Sequence, residues 1–451
     1  MKKSLMMRVG LIALSSLAIV ACGGNEGHPS ESEAQPTEPP LSDVQGNTVK
    51  FFELKETDIG TETKAADAKL AGYTEENPLK IGLVTDSGTL NDHSFNESAW
   101  AGVNNFATEN GGGTINSTSY CVETGKIHTK YVQPAENAYD TQGRLAAMKT
   151  VAQWGAKVII LPGFLFQPAI KKAIDDPAFK DICLLALDCV KEDSDNGYAP
   201  YEYTDKVTSV IYREEQSGFL AGYAAVKEGF RTLGFCGGMA VPAVVRYGSG
   251  YCQGADAAAK ELKLDDKAVK INYYYAGEFA PTAAATANCN TWYQSGTEVI
   301  FGCGGAVYQS VTSASQANGN KPWIGVDVNQ HADTSLGASQ DSCITSAMKN
   351  LTNATKVLLA GWVNNDGAWN KTLAGNVVTV GAKSDNCVLP TPATTGDEGC
   401  WGFKNFKVAE YEALLADLKA GKVKVNSNSD DAELKDHNFG CSNAIEVNYV
   451  L

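Results

Sequence analysis

The sequence predicts an α/β protein with two Rossmann-like lobes, each a parallel sheet flanked by helices. Short apolar runs that fit buried strands, such as KIGLV and KVIILPG, alternate with longer amphipathic patterns that fit helices. This alternation occurs twice, and the second round starts near Val210. The predicted strands end in polar or glycine-rich turns, namely VTDSG, LPGF, ALD, CGGM, GCGG and VDVN. Because ligands of open α/β sheets bind beyond the carboxyl ends of the strands, two facing sheets would direct these turns into one cleft.

The first round begins with the strand KIGLVTD and the helix SFNESAWAGVNNFATENG, which has glycine at its end. Further pairs follow: the helix RLAAMKTVAQWGA with the strand KVIILPG, and the helix QPAIKKAIDDPAF with the strand ICLLALD. Continuous apolar strands of this kind are typical of sheets that helices cover on both faces.

The second round repeats the order with the helices EEQSGFLAGYAAVKEG, YGSGYCQGADAAAKEL, TAAATANCNTWYQSG and VYQSVTSASQANG. Its strands are TLGFCGGM, INYYYAG, EVIFGCGG and PWIGVDV. The remaining segments read as a strand and helix (SCITSAMKNLTNATKVLLAGWV), a strand (NVVTVGA), and a helix and strand (GFKNFKVAEYEALLADLKAGKVKV). We expect the chain to cross between lobes, which assigns 79–204 plus about 343–370 to the N-terminal lobe and 205–342 plus about 371–451 to the C-terminal lobe.

Length and charge limit the possible classes. The chain of 451 residues is too long for one ordinary core, and its hydrophobic fraction of 43% fits a globular protein. A formal net charge of −15 argues against a nucleic-acid partner, which requires a basic surface.

The N-terminus has the pattern of a lipoprotein signal peptide over residues 1–22. Basic residues precede LIALSSLAIVA, an apolar run too short for an ordinary transmembrane helix. The run ends in Ile19-Val20-Ala21-Cys22, which resembles a bacterial lipobox and makes Cys22 the predicted lipidation site. Residues 23–77, rich in Glu, Pro, Ser, Thr and Gly, predict a flexible linker, with NTVKFFELKE as a possible short strand. We therefore expect a lipid-anchored protein on the outer face of the cell membrane.

The other cysteines predict no zinc site. Of 12 cysteines, 11 remain beside Cys22, and none has CxxC or Cys/His zinc spacing. Cys183 with Cys189, or Cys387 with Cys400, are close enough in sequence to pair, but nothing fixes the connectivity. Most are better interpreted as small buried apolar residues.

The segment VTDSGTLNDHSFN admits an enzymatic interpretation through Asp86 and Asp92. Calcium-dependent nucleoside hydrolases also carry aspartates and a glycine after their first strand, but calcium needs six to eight oxygen ligands. No adjacent acid pair occurs here, and no histidine acid is evident; His93 fits a solvent-facing loop residue. The sequence also lacks a GxSxG elbow, a P-loop and HExxH, so it predicts neither an enzyme nor a metal or other cofactor.

The same segment also fits a binding site. Phe95 could stack on a flat ligand or begin the core face of its helix, and Asn96 could bind a base edge. Asp86 could bind ligand or cap the following helix. Arg246-Tyr247 offers a second aromatic group, with core packing as the alternative.

Two further charged residues stand near the ends of later strands. Asp327 ends a buried strand and needs a partner, for which a pair of ligand hydroxyls would serve. Lys349 could neutralise Asp327, hold a ligand oxygen, or simply be solvated.

VTDSGTLNDHSFNESAWAG resembles the first motif of the basic membrane protein family of ABC-transporter substrate-binding lipoproteins, whose characterised type is a purine nucleoside receptor. The resemblance continues in SGFLAGYAAV, GFCGGMAVPAVVRYGSGYCQGA, FGCGGAVYQSV, IGVDVNQ and ITSAMKN, over roughly 79–451. It implies the type I periplasmic-binding-protein fold, no catalysis, and delivery of a nucleoside to an ABC permease and ATPase complex.

The resemblance also implies roles for individual residues. Phe95 and Tyr247 would sandwich the base, with Asp86 and Asn96 near it. Asp327 and Lys349 would hold the ribose, helped by the Gly304-Gly305 turn, and Asp188 is a weaker candidate at the hinge. The chain departs from the family pattern at Tyr247, usually phenylalanine, and at Asn329, usually aspartate, which leaves the base preference open. The alternatives are the same fold binding another small ligand, such as a sugar or a signalling molecule, or the calcium-dependent hydrolase.

Overall fold

The structure, a computed structural model, describes residues 49–86, 89–135 and 140–450, all within one compact unit, Pro40–Leu451. The predicted signal peptide (1–22), Cys22 and the first part of the predicted linker lie outside the described residues. Among the described residues, no helix is long and apolar enough to span a lipid bilayer.

The described chain contains seventeen strands. In chain order they are β1 Leu79–Val84, β2 Ile115–Asn116, β3 Cys121–Val122, β4 Ile127–Val132, β5 Val158–Pro162, β6 Cys183–Leu187, β7 Glu192–Asp193, β8 Ala199–Pro200, β9 Val207–Tyr212, β10 Thr232–Gly237, β11 Val269–Tyr275, β12 Val299–Cys303, β13 Trp323–Asp327, β14 Cys343–Lys349, β15 Val377–Val380, β16 Cys387–Val388 and β17 Ile445–Val450.

Twelve α-helices connect the strands in the described chain. They are α1 Asp67–Leu70, α2 Phe95–Glu109, α3 Thr141–Trp154, α4 Gln167–Ile174, α5 Glu214–Glu228, α6 Pro242–Glu261, α7 Ala283–Gln294, α8 Tyr308–Ala317, α9 Leu351–Asn364, α10 Pro392–Thr395, α11 Val408–Lys419 and α12 Asp431–Asp436.

The strands build the predicted pair of sheets. The first has the order β15-β9-β6-β5-β1-β4 and is parallel throughout, and the second has the order β16-β14-β13-β12-β10-β11-β17 and is parallel except at β16. Alternate residues of one strand enter different cores: Val158 and Ile160 face one side of the first sheet, Ile159 and Leu161 the other. Each such fully buried side chain stabilises the fold by about 1.5–3 kcal/mol, so apolar strands of this kind specify a sheet covered on both faces. The α/β prediction is confirmed.

The lobe boundaries fall elsewhere than expected. β9, assigned from the sequence to the C-terminal lobe, pairs in the first sheet, and β15 joins it there. β14, assigned to the N-terminal lobe, pairs in the second sheet, although the following helix α9 packs on α2. The described chain thus crosses between sheets at 212–214, 349–351 and 380–387. Apolar patterning identifies a strand but not its neighbours, so the boundaries had to be corrected.

Two further expectations are wrong. The region 421–425, predicted as a strand, has none, and the last strand is instead β17 at the edge of the second sheet. Residues 49–77, predicted as part of a flexible linker, are packed on the lobes, and Val49 is 2% exposed, although 49–57 forms no strand.

Helices α5 and α6 approach unusually closely because glycines line their interface. A Cβ built on Gly218 would lie 2.1 Å from the carbonyl oxygen of Tyr247, and one on Gly250 would lie 2.2 Å from that of Glu215. A real Cβ cannot occupy such positions, so the missing side chains allow backbone-to-backbone packing. This contact fixes the start of α5 against the first turns of α6.

The cysteines are buried side chains of the cores. All eleven described cysteines are free thiols and buried, including the two candidate pairs Cys183/Cys189 and Cys387/Cys400. Their packing as small apolar residues agrees with the interpretation from the sequence.

Candidate ligand-binding cleft

The predicted site residues lie where the carboxyl ends of the two sheets face each other. Ser94 of the N-terminal lobe donates a hydrogen bond of 2.6 Å from Oγ to Oδ2 of Asp327 in the C-terminal lobe. The ring centroids of Phe164 and Phe279, one from each lobe, are 6.4 Å apart with a 64° interplanar angle. Gln330 Nε2 also donates to the carbonyl oxygen of His93 at 3.3 Å. These contacts describe a closed cleft.

Asp327 is the central acid of the C-terminal side. It ends β13 with φ of 64° and is 5% exposed. Its Oδ1 accepts a hydrogen bond from the Tyr247 hydroxyl at 3.2 Å, while Oδ2 accepts that of Ser94. Burial raises the pKa of Asp327, and Lys349 acts against that rise. The carboxylate is therefore bound by two hydroxyl donors, one from each lobe.

Lys349 is the centre of a buried ion network. It is 1% exposed, and its Nζ pairs with Asp188 Oδ2 and, at 2.7 Å, with Glu214 Oε1. Glu214 Oε2 in turn accepts a hydrogen bond of 2.6 Å from Nε of Arg246. Lys349 therefore makes its ion pairs with these acids, and it influences Asp327 electrostatically.

The pKa directions in this network follow from burial and charge. Burial alone would lower the pKa of Lys349, but the acids Asp188, Glu214 and Asp327 raise it. Burial alone would raise the pKa of Glu214, but Arg246 and Lys349 lower it. Burial raises the pKa of Asp188 to about 6, with Lys349 opposing the rise. Lys349 and Glu214 thus hold each other ionised.

The two residues expected to stack on a base, Phe95 and Tyr247, differ from each other in their surroundings. Phe95 begins α2, packs partly on the N-terminal core, and has the Lys349 Nζ 5.0 Å from its ring centroid. Tyr247 is 3% exposed, with its ring edge-on to Phe301 at 6.0 Å. Both rings contact the Lys349–Asp327 region, Phe95 through the cation and Tyr247 through its hydroxyl.

Asp86 and Asn96 form a second group on the N-terminal side. Asn96 Nδ2 donates to Asp86 Oδ1 at 3.3 Å and to Asp92 Oδ2 at 3.0 Å. Asp92 caps α2 by accepting hydrogen bonds from the backbone N–H groups of residues 94, 96 and 97. The Oδ1 of Asn96 is buried and accepts no hydrogen bond from the residues that the structure describes. Asn96 therefore presents, beside Asp86, an acceptor that these residues leave unused.

The Gly304-Gly305 turn contacts an aromatic residue rather than the ion network. Both glycines have positive φ, 112° and 53°. A Cβ on Gly304 would lie 3.2 Å from the Phe279 ring, and one on Gly305 would lie 2.9 Å from the Phe279 carbonyl oxygen. The turn thereby lets Phe279 reach the cleft, where it meets Phe164.

Asn329, a departure from the family pattern, donates from Nδ2 to Oδ2 of Asp397 at 2.7 Å. The same oxygen contacts His331 Nδ1 at 2.8 Å. Asp397 therefore supplies an acid next to this loop, and an aspartate at 329 would face it with like charge.

Several cleft residues escaped sequence reasoning. Arg144 in the first turn of α3 is 4% exposed, and its Nε has no hydrogen-bond partner within 49–86, 89–135 and 140–450. Burial lowers the pKa of Arg144, and Asp86 opposes that change. Glu214, Ser94, Phe164 and Phe279 were missed because only folding places them beside residues more than a hundred positions away. A signal was present at Glu214, where an acid precedes the apolar helix SGFLAGYAAV.

Comparison with solved structures supports the fold. A solute-binding protein of an ABC transporter system from Aeropyrum pernix K1 covers 80% of this chain and 99% of its own at a TM-score of 0.58 and 18% identity. A corresponding protein from Conexibacter woesei covers 77% and 99% at a TM-score of 0.56 and 17% identity. At these identities the likeness concerns the fold alone, a type I periplasmic-binding-protein architecture.

Sequence relatives were found in several organisms. The ABC transporter nucleoside-binding protein BmpA of Lactococcus lactis is 29% identical over 59% of this chain and 69% of its own. Basic membrane protein B of Borreliella burgdorferi is 24% identical over 69% of this chain and 81% of its own. An uncharacterised lipoprotein of Pyrococcus abyssi is 23% identical over 72% of this chain and 70% of its own.

The family comparison covers most of the two lobes. Residues 80–398 match the model of the Bmp family, described as ABC transporter substrate-binding protein PnrA-like. The match includes the first strand, the ion network and the turn carrying Asn329, and it ends near Asp397. The chain belongs to the Bmp family of PnrA-like ABC transporter substrate-binding proteins.

Proposed function

We propose that this substrate-binding protein takes a nucleoside, most simply a purine nucleoside, into the cleft between its lobes and delivers it to an ABC permease and ATPase complex. Closure of the lobes about the three crossovers would enclose the ligand. The protein holds its ligand and does no covalent chemistry. The name of the Lactococcus lactis relative, a nucleoside-binding protein, supports this ligand class.

The observation that carries the proposal is the pair of hydrogen bonds that the Asp327 carboxylate accepts. This buried carboxylate binds two hydroxyl groups, those of Ser94 and Tyr247. A pair of neighbouring ribose hydroxyls offers the same donors, so it could replace both partners without leaving the carboxylate unbonded. A free base has no such pair.

Flat apolar surface is the second support. Phe95, Phe164 and Phe279 lie at the meeting of the lobes, each partly accessible. Aromatic faces bind planar rings through burial and stacking, whereas a small sugar gains less from them.

Unused polar atoms on the N-terminal side are the third support. Asn96 Oδ1, Asp188 Oδ1 and Arg144 Nε are buried, and none of them bonds a group of the described residues. Unbonded buried polar atoms cost stability, and a base edge carrying both donors and acceptors would satisfy them. We assign Asp86, Asn96 and Arg144 to the base, and Asp327 to the ribose, with Lys349 and Asp188 completing the wall between them.

The proposed location is the outer face of the cell membrane, with Cys22 as the lipid anchor. The lipobox-like sequence supports it, as does the description of the Pyrococcus abyssi relative as a lipoprotein. Metabolic labelling with a palmitate analogue should mark the wild-type protein, and Cys22→Ala should abolish the label.

A thermal-shift screen of the mature protein against nucleosides, free bases and sugars tests the ligand class. A ligand that binds only the native state raises the unfolding midpoint, so nucleosides should raise it most. A response to sugars alone would favour the alternative ligand, and no response to any nucleoside would overturn the proposal. Chromatography after long incubation with calcium should recover the nucleoside intact, since hydrolysis would reveal an enzyme.

A further inference from the structure

Residues 49–66 form an extended segment, here called the strap, that lies outside the residues matched by the family. Its two ends enter different cores. Val49 is buried in the core of the C-terminal lobe, and Ala65 in the core of the N-terminal lobe. One continuous segment is therefore anchored in both lobes.

The first half of the strap is bonded to a second segment beyond the family match. Phe52 donates its backbone N–H to Asn426 Oδ1 at 2.9 Å, and its carbonyl oxygen accepts from the backbone N–H of Ser427 at 2.8 Å. Leu54 N–H donates to Ser427 Oγ at 2.9 Å. The two extensions, before residue 80 and after residue 398, thus bind each other on the C-terminal lobe.

The second half of the strap is bonded to the N-terminal lobe. Thr57 N–H donates to the carbonyl oxygen of Thr379 at 2.7 Å, on the edge strand β15. Further along, Ala65 N–H donates to Asn110 Oδ1 at 2.8 Å. These bonds fix the strap to the edge of the first sheet and to the end of α2.

The centre of the strap lies on the hinge. The Glu56 side chain is 5% exposed; its Oε1 accepts from Gln216 Nε2 at 3.3 Å and its Oε2 from the backbone N–H of Lys383 at 3.1 Å. Its carboxylate is also 3.9 Å from Arg213 Nη1. Gly381 leaves the necessary room, since a Cβ there would lie 2.7 Å from Glu56 Cδ. Glu56 therefore contacts two of the three crossovers.

We infer that the strap ties the lobes together across the hinge, and that Glu56 is a positioning residue for ligand binding. Opening the cleft must rotate the crossovers at 212–214 and 380–387, which Glu56 holds together in the closed arrangement. Loss of the Glu56 bonds would shift the protein towards the open form, and the fraction of binding-competent closed protein would fall.

Arg213 links the strap to the ion network of the cleft. Burial alone would lower the pKa of Arg213, but the carboxylates of Glu215, Glu56 and Glu53 raise it. The next residue is Glu214, which holds Lys349 at 2.7 Å. Displacement of Arg213 would therefore move the start of α5, and with it the Glu214 carboxylate that pairs with Lys349.

The test compares Glu56→Ala with Glu53→Ala in the full mature chain. Glu53 is the matched control, because it approaches the same Arg213 Nη1 at 3.7 Å but its side chain is 37% exposed, so solvent weakens the contact. Small-angle scattering without ligand should give a larger radius of gyration for Glu56→Ala than for wild type. Hydrogen exchange should show faster exchange both in the strap and at 93–96 across the cleft, and Glu53→Ala should resemble wild type.

Ligand affinity is the second readout, and it rests on the proposed function. Glu56→Ala should weaken nucleoside binding on the order of tenfold, through slower closure or faster release, while the cleft residues stay unchanged. If wild type binds no nucleoside, the function fails but the scattering and exchange results still decide on the strap. Wild-type scattering and exchange in Glu56→Ala would overturn the inference.

A second variant covers the possibility that Glu56→Ala does not fold. Ser427→Ala removes the hydroxyl that bonds Leu54 and Phe52 at the far end of the strap, away from the cleft. It should produce the same opening to a smaller extent. Unchanged scattering in a folded Ser427→Ala protein, with unchanged exchange of the strap amides, would count against the strap.

Discussion

The two sides of the cleft differ in how their buried cations are paired. On the C-terminal and hinge side, Glu214 forms ion pairs with both Arg246 and Lys349. Asp327 there accepts hydrogen bonds from two hydroxyl groups. On the N-terminal side, Arg144 Nε and Asn96 Oδ1 are buried and bond no group in the part of the chain that the structure describes. Under the proposed function, the ligand would bond the free atoms of the N-terminal side, whereas folding alone forms the ion pairs of the other side. Each of the following predictions tests part of this contrast.

The largest effect is expected on the C-terminal and hinge side. Glu214→Ala leaves Arg246 and Lys349 with an unbalanced buried charge, so the free energy of unfolding should fall by about 3–5 kcal/mol. Urea denaturation of the mature protein measures it. Glu202→Ala is the control, because its 86% exposed side chain pairs with Lys191 at the surface; its unfolding should match wild type. A similar small loss for both variants would contradict a closed ion network.

The next effect concerns Asp327, the proposed acceptor of the ribose hydroxyls. Asp327→Ala should weaken nucleoside binding by about 2–3 kcal/mol, or roughly 30–100-fold, because the ribose hydroxyls lose a charged acceptor. Binding of the free base should change far less. Calorimetric titration with a nucleoside and its base compares the two, and equal losses would remove the ribose assignment.

On the N-terminal side, Arg144→Met should affect binding but not folding. Because no group of the described chain bonds the Nε of Arg144, the unfolding free energy should stay within about 0.5 kcal/mol of wild type, while nucleoside affinity falls on the order of tenfold. Lys149→Met on the same helix, whose partner is Asp176, is the control and should bind normally. A stability loss with normal affinity would place Arg144 in the fold instead.

The smallest effect is a pH dependence from Asp92. Burial raises its pKa from 3.8 to about 6, with the capping N–H groups opposing the rise. A raised carboxyl pKa means that the folded state binds the proton more tightly than the unfolded state. The stabilisation of the folded state by protonated Asp92 is therefore fully present below pH 3.8 and is lost as the pH rises through about 6.

Asp92→Asn isolates that contribution. From pH 7 to pH 5 the unfolding free energy of wild type should rise by about 1.4 kcal/mol relative to that of the variant, since the variant lacks the titrating group. Denaturation curves at both pH values give the difference. A constant gap between the two proteins would show that Asp92 has an ordinary pKa.

The sequence allowed prediction of the elements and of the acids at strand ends, for a physical reason. A strand buried on both faces must be apolar throughout, so the polar residue that ends it, such as Asp86 or Asp327, stands out. Sheet order leaves no comparable pattern, which explains why β9 and β14 were assigned to the wrong lobes.

Partners distant in sequence were beyond such reasoning. Glu214 meets Lys349 across 135 positions and Ser94 meets Asp327 across 233, and both contacts depend on the crossovers. The composition of 23–77 predicted a linker, yet its second part is held by backbone N–H groups, which any residue except proline supplies.

The glycine contact between α5 and α6 bears on engineering. Because Gly218 packs directly on the backbone of Tyr247, a larger residue there would shift the turn that also carries Arg246. Redesign of ligand preference, for example to make a fluorescent sensor, should therefore leave this helix pair intact. Libraries directed at Asn96, Arg144 and Phe164 would instead vary the proposed ligand contacts, which lie outside this helix pair.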